Sequence, residues 1–171
     1  MTHFKAKGLS RVQIRSMALQ LRKLLGLEDV LYIDVLQLLE NVFASIGLDY
    51  EIIPIDEMEQ EALTVPNENR ILIREDIYSR AVEGQGRARF TIIHEIGHAL
   101  LHGGRSVSYA RGEIPTYCDP EWQANAFAGE FLMAYHLVKN MPVQQIAEKC
   151  GTSLAAARYQ SMQYNKKRQA V

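Results

Sequence analysis

The stretch Ile92-Ile93-His94-Glu95-Ile96-Gly97-His98-Ala99-Leu100-Leu101-His102 decides how this chain reads. Apolar residues surround the polar ones at helical spacing, which predicts a helix from near Arg87 through Leu101, closed by Gly103 and Gly104. Residues four apart on a helix lie one above the other on the same face. His94 and His98 can therefore reach a single metal ion from adjacent turns. Glu95 is then placed beside that metal, where a carboxylate can take a proton from an activated water. Gly97, lacking a side chain, permits close approach by another backbone or a substrate.

His102 follows His98 by four residues and offers a second metal pair. All three histidines cannot easily share one ion, because eight residues span about 12 Å of helix. Glu95 breaks the tie: the residue after His94 is acidic, whereas the one after His98 is Ala99. The assigned ligands are His94 and His98. His102 is left either to hydrogen-bond substrate or a developing oxyanion, or to sit behind a ligand or at the helix end.

A catalytic zinc site usually takes three protein ligands and keeps one position open. Glu121, early on a helix predicted from about Glu121 to Leu137, is the leading third ligand. Asn125 lies four residues on, on the same face, where it can hold a ligand histidine by its other ring nitrogen. Glu130 is a rival, but nine residues at roughly 100° each turn it to the opposite face. Glu113, Asp119 and His136 are weaker candidates, and Cys118 is either an inhibitory fourth ligand or a small buried side chain. Zinc is the metal that suits these donors, although two histidines and a carboxylate also take manganese or iron, Mn2+ or Fe2+.

Outward from this centre, two helices are predicted on the N-terminal side, over Arg11 to Leu25 and from about Ile33 to Ile46, stopped by Gly26 and Gly47. The period then changes. Leu48 to Ile53, Ala62 to Val65 and Arg70 to Ile73 read as strands, with Pro66-Asn67-Glu68-Asn69 as turn chemistry between the last two. Asp76 to Val82 reads as a short helix or turn, and Arg105 to Pro120 as irregular. Val143 to Asn165 reads as two short helices flanking Gly151-Thr152-Ser153, an arrangement similar to a helix-turn-helix in which Ser153 can cap the second helix. The fold class is α+β, mostly helical, with a small three-stranded antiparallel sheet. Two units are expected: residues 1–137, carrying the metal motif, and a helical extension, 138–171, packed on that core.

Net charge is −1, from 19 basic and 20 acidic residues, which argues against a chain that works mainly by coating nucleic acid. The one basic run is Lys166-Lys167-Arg168, short enough to be a solvated tail, so direct DNA binding is not expected. Cys118 and Cys150 make no metal-binding or disulfide pattern, and a reduced, cytoplasmic setting fits them. The N-terminus has no apolar signal core and no stretch is apolar enough to span a membrane. Oligomeric state has no signature in the sequence.

Arg89 to His102, followed by Glu121-Trp122-Gln123-Ala124-Asn125-Ala126-Phe127-Ala128 and by Phe131-Leu132-Met133, resembles the ImmA/IrrE family of metallopeptidases over roughly residues 30–160. The resemblance implies a zincin-like, more narrowly gluzincin-like, site in which His94, His98 and Glu121 bind zinc and Glu95 is the base. It also implies a protein substrate. Family members of this size are often encoded on phages and other mobile elements, and some cleave a partner transcriptional repressor of helix-turn-helix type. One departure stands out: the family often has a proline soon after the Leu-Met step, where this chain has Ala134-Tyr135. The alternative function is a non-catalytic metal-binding regulator that acts by binding protein or DNA.

Overall fold

A computed structural model describes residues 2–103 and 107–165. The Lys166-Lys167-Arg168 run lies outside them. The chain opens with strand β1 (Thr2–Ala6) and helix α1 (Arg11–Leu24), which starts on a reciprocal cap. Ser10 Oγ accepts from the Gln13 backbone N–H, and Gln13 Oε1 accepts from that of Ser10. The second predicted helix forms with a different winding: α2 (Val35–Gln37) runs into six π-helical residues, Leu38–Phe43, with Leu38, Leu39 and Phe43 turned into the core. Gly47, at φ +88°, releases the chain into β2 (Asp49–Ile53). Then come β3 (Ala62–Val65), β4 (Arg70–Arg74), α3 (Glu75–Val82) and the motif-bearing helix α4 (Gly86–His102).

The three-stranded sheet is mixed, in the order β2-β4-β3, not antiparallel as expected. β3 and β4 are antiparallel neighbours, joined through the tight turn at Pro66–Asn69, where Asn69 adopts φ +52°. β2 instead runs parallel to β4, because the chain leaves β2 and crosses past β4 before turning back as β3. β4 is central and buries Ile71 and Ile73 completely, while β3 is left as an edge strand. The segment read as irregular contains a further strand, β5 (Val107–Arg111), which pairs antiparallel with β1. That pairing joins residues about a hundred positions apart, so no local period announces it.

Helix α5 (Pro120–Leu132) begins under an Asp119 cap and Pro120 in its first turn. It ends five residues earlier than predicted, at Leu132, and a separate turn of helix, α6 (Tyr135–Val138), follows. Met133 and Ala134 leave helical geometry although no proline is present. α7 (Val143–Cys150) and α8 (Leu154–Asn165) flank Gly151 at φ +62°. Their turn presses on the start of α4: a Cβ at Gly86 would come within 2.4 Å of the Thr152 carbonyl carbon. Arg89 of α4, almost fully buried and stacked 3.8 Å from the Tyr32 ring centroid, donates to the carbonyls of Gly151, Cys150 and Ile33.

A second polar knot binds α1, α5 and α8 together around Glu130, whose side chain is fully buried. Arg11 and Arg15 donate to its two oxygens at 3.0 and 2.9 Å, and the Tyr164 hydroxyl lies 3.0 Å from Oε2. Gln160 bridges the set, donating to Tyr164 and accepting from Arg11 at 2.6 Å each. Removing one member of such a buried set leaves the others desolvated and unpaired. Glu130→Ala is therefore expected to lower unfolding stability in urea by about 3 kcal/mol. An unchanged unfolding midpoint would contradict the assignment of Glu130 as a structural tie.

Candidate metal centre

α4 packs across α5 at unusually close range, and Gly97 is the reason it can. A Cβ at Gly97 would sit 3.0 Å from the Phe127 ring and 3.4 Å from the Ala124 carbonyl oxygen. The close approach predicted from Gly97 is thus made by the neighbouring helix. It brings the first turn of α5 level with the histidines of α4. His94 Nε2 and His98 Nε2 lie 3.0 Å apart. Glu121 spans both, with Oε2 3.3 Å from His94 Nε2 and Oε1 3.2 Å from His98 Nε2. One ligand atom from each of the three residues falls within 4.8 Å of the others. Two imidazole nitrogens and a carboxylate oxygen are the donor types of a catalytic zinc site, and their convergence fits a single metal ion.

The electrostatics follow from the convergence. Hydrogen bonds to His94 and His98 hold the Glu121 carboxyl well below the usual carboxylate range. Burial by itself pushes His94 down, but the carboxylates of Glu121 and Glu95, with Asn125 on the far nitrogen, outweigh it and the net shift is upward. His94 Nδ1 lies 3.1 Å from Asn125 Oδ1. With a metal bound, a neutral ring that donates from Nδ1 to Asn125 would keep its lone pair on Nε2 for the ion.

Glu95, 7% exposed, stands beside the triad with Oε1 4.0 Å from His94 Nε2. The Thr64 hydroxyl, on edge strand β3, lies 2.7 Å from Glu95 Oε2 and 2.9 Å from the Glu95 carbonyl oxygen. Thr64 was not singled out from the sequence, where it is one polar residue in a short strand. His102 also lines the cleft beside His98. It is 4% exposed and both ring nitrogens have protein partners, Nδ1 at 3.1 Å from His98 Nδ1 and Nε2 at 2.9 Å from Gln123 Oε1. Burial holds its pKa below the ordinary value.

The remaining candidates separate cleanly. Glu130 belongs to the structural knot already described. His136 donates to the Glu28 carbonyl, away from the centre. Cys118 is buried against Gly8 and stands outside the metal-ligand group found among the described residues. Glu113 and Asp119 line the cleft without joining that group. The cleft encloses about 1010 Å³. Its walls are Ala62, Leu63, Thr64 and Pro66 on one side and Phe4, Glu113 and Ile114 among the others, with Glu95, His98 and Glu121 also lining it. No helix among the described residues is long and apolar enough to cross a membrane.

The profile of a peptidase family, described as the IrrE N-terminal-like domain, matches residues 46–161. That span holds α4, α5 and the whole sheet, and it runs past residue 137 into α8. No curated protein matches the chain. With two thirds of its length matched, and with two histidines and a glutamate converging where such a peptidase needs its metal, the chain belongs to the IrrE N-terminal-like family of metallopeptidases.

Proposed function

We propose that this chain is a zinc-dependent endopeptidase that cuts a protein partner at a specific site in the cytoplasm, the partner being a helix-turn-helix transcriptional repressor of a phage or mobile element. The observation that carries the catalytic reading is Glu95: a buried carboxylate held by Thr64 next to the converged His94, His98 and Glu121. Metal binding alone would not require it. His94 and His98 would hold the zinc through Nε2 and Glu121 through its carboxylate. When bound, the metal supplies Lewis-acid chemistry, bringing the pKa of water to roughly 7 and polarising the scissile carbonyl.

Glu95 then performs the proton transfers. With Oε2 engaged by Thr64, Oε1 is the oxygen that takes the proton from the attacking water and passes it to the departing amine nitrogen as the C–N bond breaks. Asn125 keeps the His94 ring in register. β3 is an edge strand, and its residues 62–64 line the cleft, so an extended segment of a partner protein can lie against it and gain main-chain hydrogen bonds. That mode of recognition supports cutting within a chain. The repressor and the mobile-element setting follow from the family resemblance. The free, buried state of Cys118 and Cys150 agrees with a reducing compartment.

The rival class is a regulator that keeps the metal but acts through binding, with α7 and α8 as its helix-turn-helix-like part. Ser153 Oγ accepts from the Ala156 N–H at the start of α8, as a second helix of that kind would need. The intact Glu95–Thr64 pair favours catalysis over this reading.

Four outcomes test the proposal. Glu121→Ala should abolish stoichiometric zinc binding in dialysed protein read by elemental analysis, while Glu95→Gln should keep one zinc per chain. Glu95→Gln should also slow cleavage of the partner by about 10²- to 10⁴-fold. Incubating the parent with the repressor encoded beside its gene, with and without a chelator, should give a single cut by mass spectrometry that the chelator suppresses. Cleavage by Glu95→Gln at the parent's rate would overturn the catalytic assignment. Salt-sensitive retention on DNA, with no cleavage, would favour the regulator.

A further inference from the structure

Behind the metal centre runs a line of hydrogen bonds that the proposed chemistry does not yet use, from His98 through His102 to Gln123. Gln123 is fully buried on α5. Its amide nitrogen donates both of its protons to backbone carbonyls, to Lys7 O at 2.8 Å and to Tyr117 O at 2.7 Å. A carbonyl can only accept, so the orientation of this amide is forced. Its oxygen Oε1 is left facing His102 Nε2 at 2.9 Å. An amide oxygen can only accept as well, so His102 must carry its proton on Nε2. A neutral ring has one N–H, and His102 Nδ1 is therefore a lone pair. It faces His98 Nδ1 at 3.1 Å, which must donate to it. With a metal bound, His98 would then keep its lone pair on Nε2 for the ion, at the place where the ligand atoms of His94, His98 and Glu121 converge.

We infer that His102 and Gln123 are positioning residues that fix the tautomer and ring orientation of the ligand His98, with the carbonyls of Lys7 and Tyr117 as the fixed end of the relay. The inference rests on the metal-site reading above. Asn125 does the same for His94 in one step, whereas His98 needs two, because the residue beside it is another imidazole that must itself be oriented. The relay also joins the centre to parts of the chain remote in sequence. Lys7 follows β1 and Tyr117 follows β5, so the segments flanking the two-stranded ribbon close one end of the line. Of the relay residues only His98 belongs to the group that could hold the metal, and His102 lines the cleft behind it.

The test measures zinc affinity by chelator competition at fixed pH, and tautomers by long-range 15N–1H correlation of the zinc-loaded parent labelled at histidine. The parent should show His98 protonated at Nδ1 and His102 at Nε2. His102→Phe and Gln123→Leu should each weaken zinc binding by about 10- to 100-fold, whereas His102→Asn, whose side-chain oxygen can still accept from His98 Nδ1, should stay within about threefold of the parent. Because the spectrum is taken on the parent, the inference remains falsifiable should a variant fold poorly. Zinc-loaded parent with His102 protonated at Nδ1 would overturn the relay, as would unchanged affinity in His102→Phe, or equal losses in His102→Asn and His102→Phe. A parent that takes up no zinc would overturn the metal-site reading, and the relay with it.

Discussion

The close packing of α4 on α5 through Gly97 is the constraint on which the rest depends. Neither helix carries a complete set of ligands. α4 supplies two imidazoles on adjacent turns and α5 supplies a carboxylate in its first turn, and only near-contact of the two backbones lets Glu121 bridge both rings. A side chain at 97 would press against the Phe127 ring and the Ala124 backbone. The same contact brings Asn125 against His94 and Gln123 against His102, so these partners of the histidines arrive with Glu121, from one stretch of one helix.

Polar groups deep in this fold are ordered by what they touch. Arg89 donates to the carbonyls of Cys150 and Gly151, which fastens the α7–α8 turn to the start of α4, and the buried Arg22 of α1 donates to the Phe131 carbonyl near the end of α5. Glu130 gathers two arginines and, through Tyr164, α8. Glu121, on the opposite side of the same helix, is two-thirds exposed at the cleft. One helix thus carries a glutamate whose charge is satisfied inside the protein and another whose carboxylate faces two imidazoles at the cleft.

The parts legible in the sequence were those encoded locally. The i, i+4 histidines with Glu95 between them, the Asp119-Pro120 start of α5, and the Pro66–Asn69 turn each depend on residues within a few positions of one another. The opposite-face argument that separates Glu121 from Glu130 needs only helical periodicity, and the two side chains do lie in different surroundings. What was not legible is non-local. Whether β2 runs parallel or antiparallel to β4 depends on the path between them, and β1–β5 joins distant segments of mixed polarity. Thr64 and Gln123 read as ordinary polar residues until tertiary contacts give them Glu95 and His102 as partners. His102 left two readings open in the sequence; in the fold it is buried with both ring nitrogens engaged and also lines the cleft.

The central claim is that a zinc ion binds where His94, His98 and Glu121 converge. X-ray absorption spectroscopy of the zinc-loaded chain tests it most directly. The account predicts one zinc per chain in an all nitrogen-and-oxygen environment, with scattering from two imidazole rings and light-atom distances of about 2.0–2.2 Å. Sulfur scattering near 2.3 Å, which would bring in a cysteine, or the signature of fewer than two imidazoles, would contradict it.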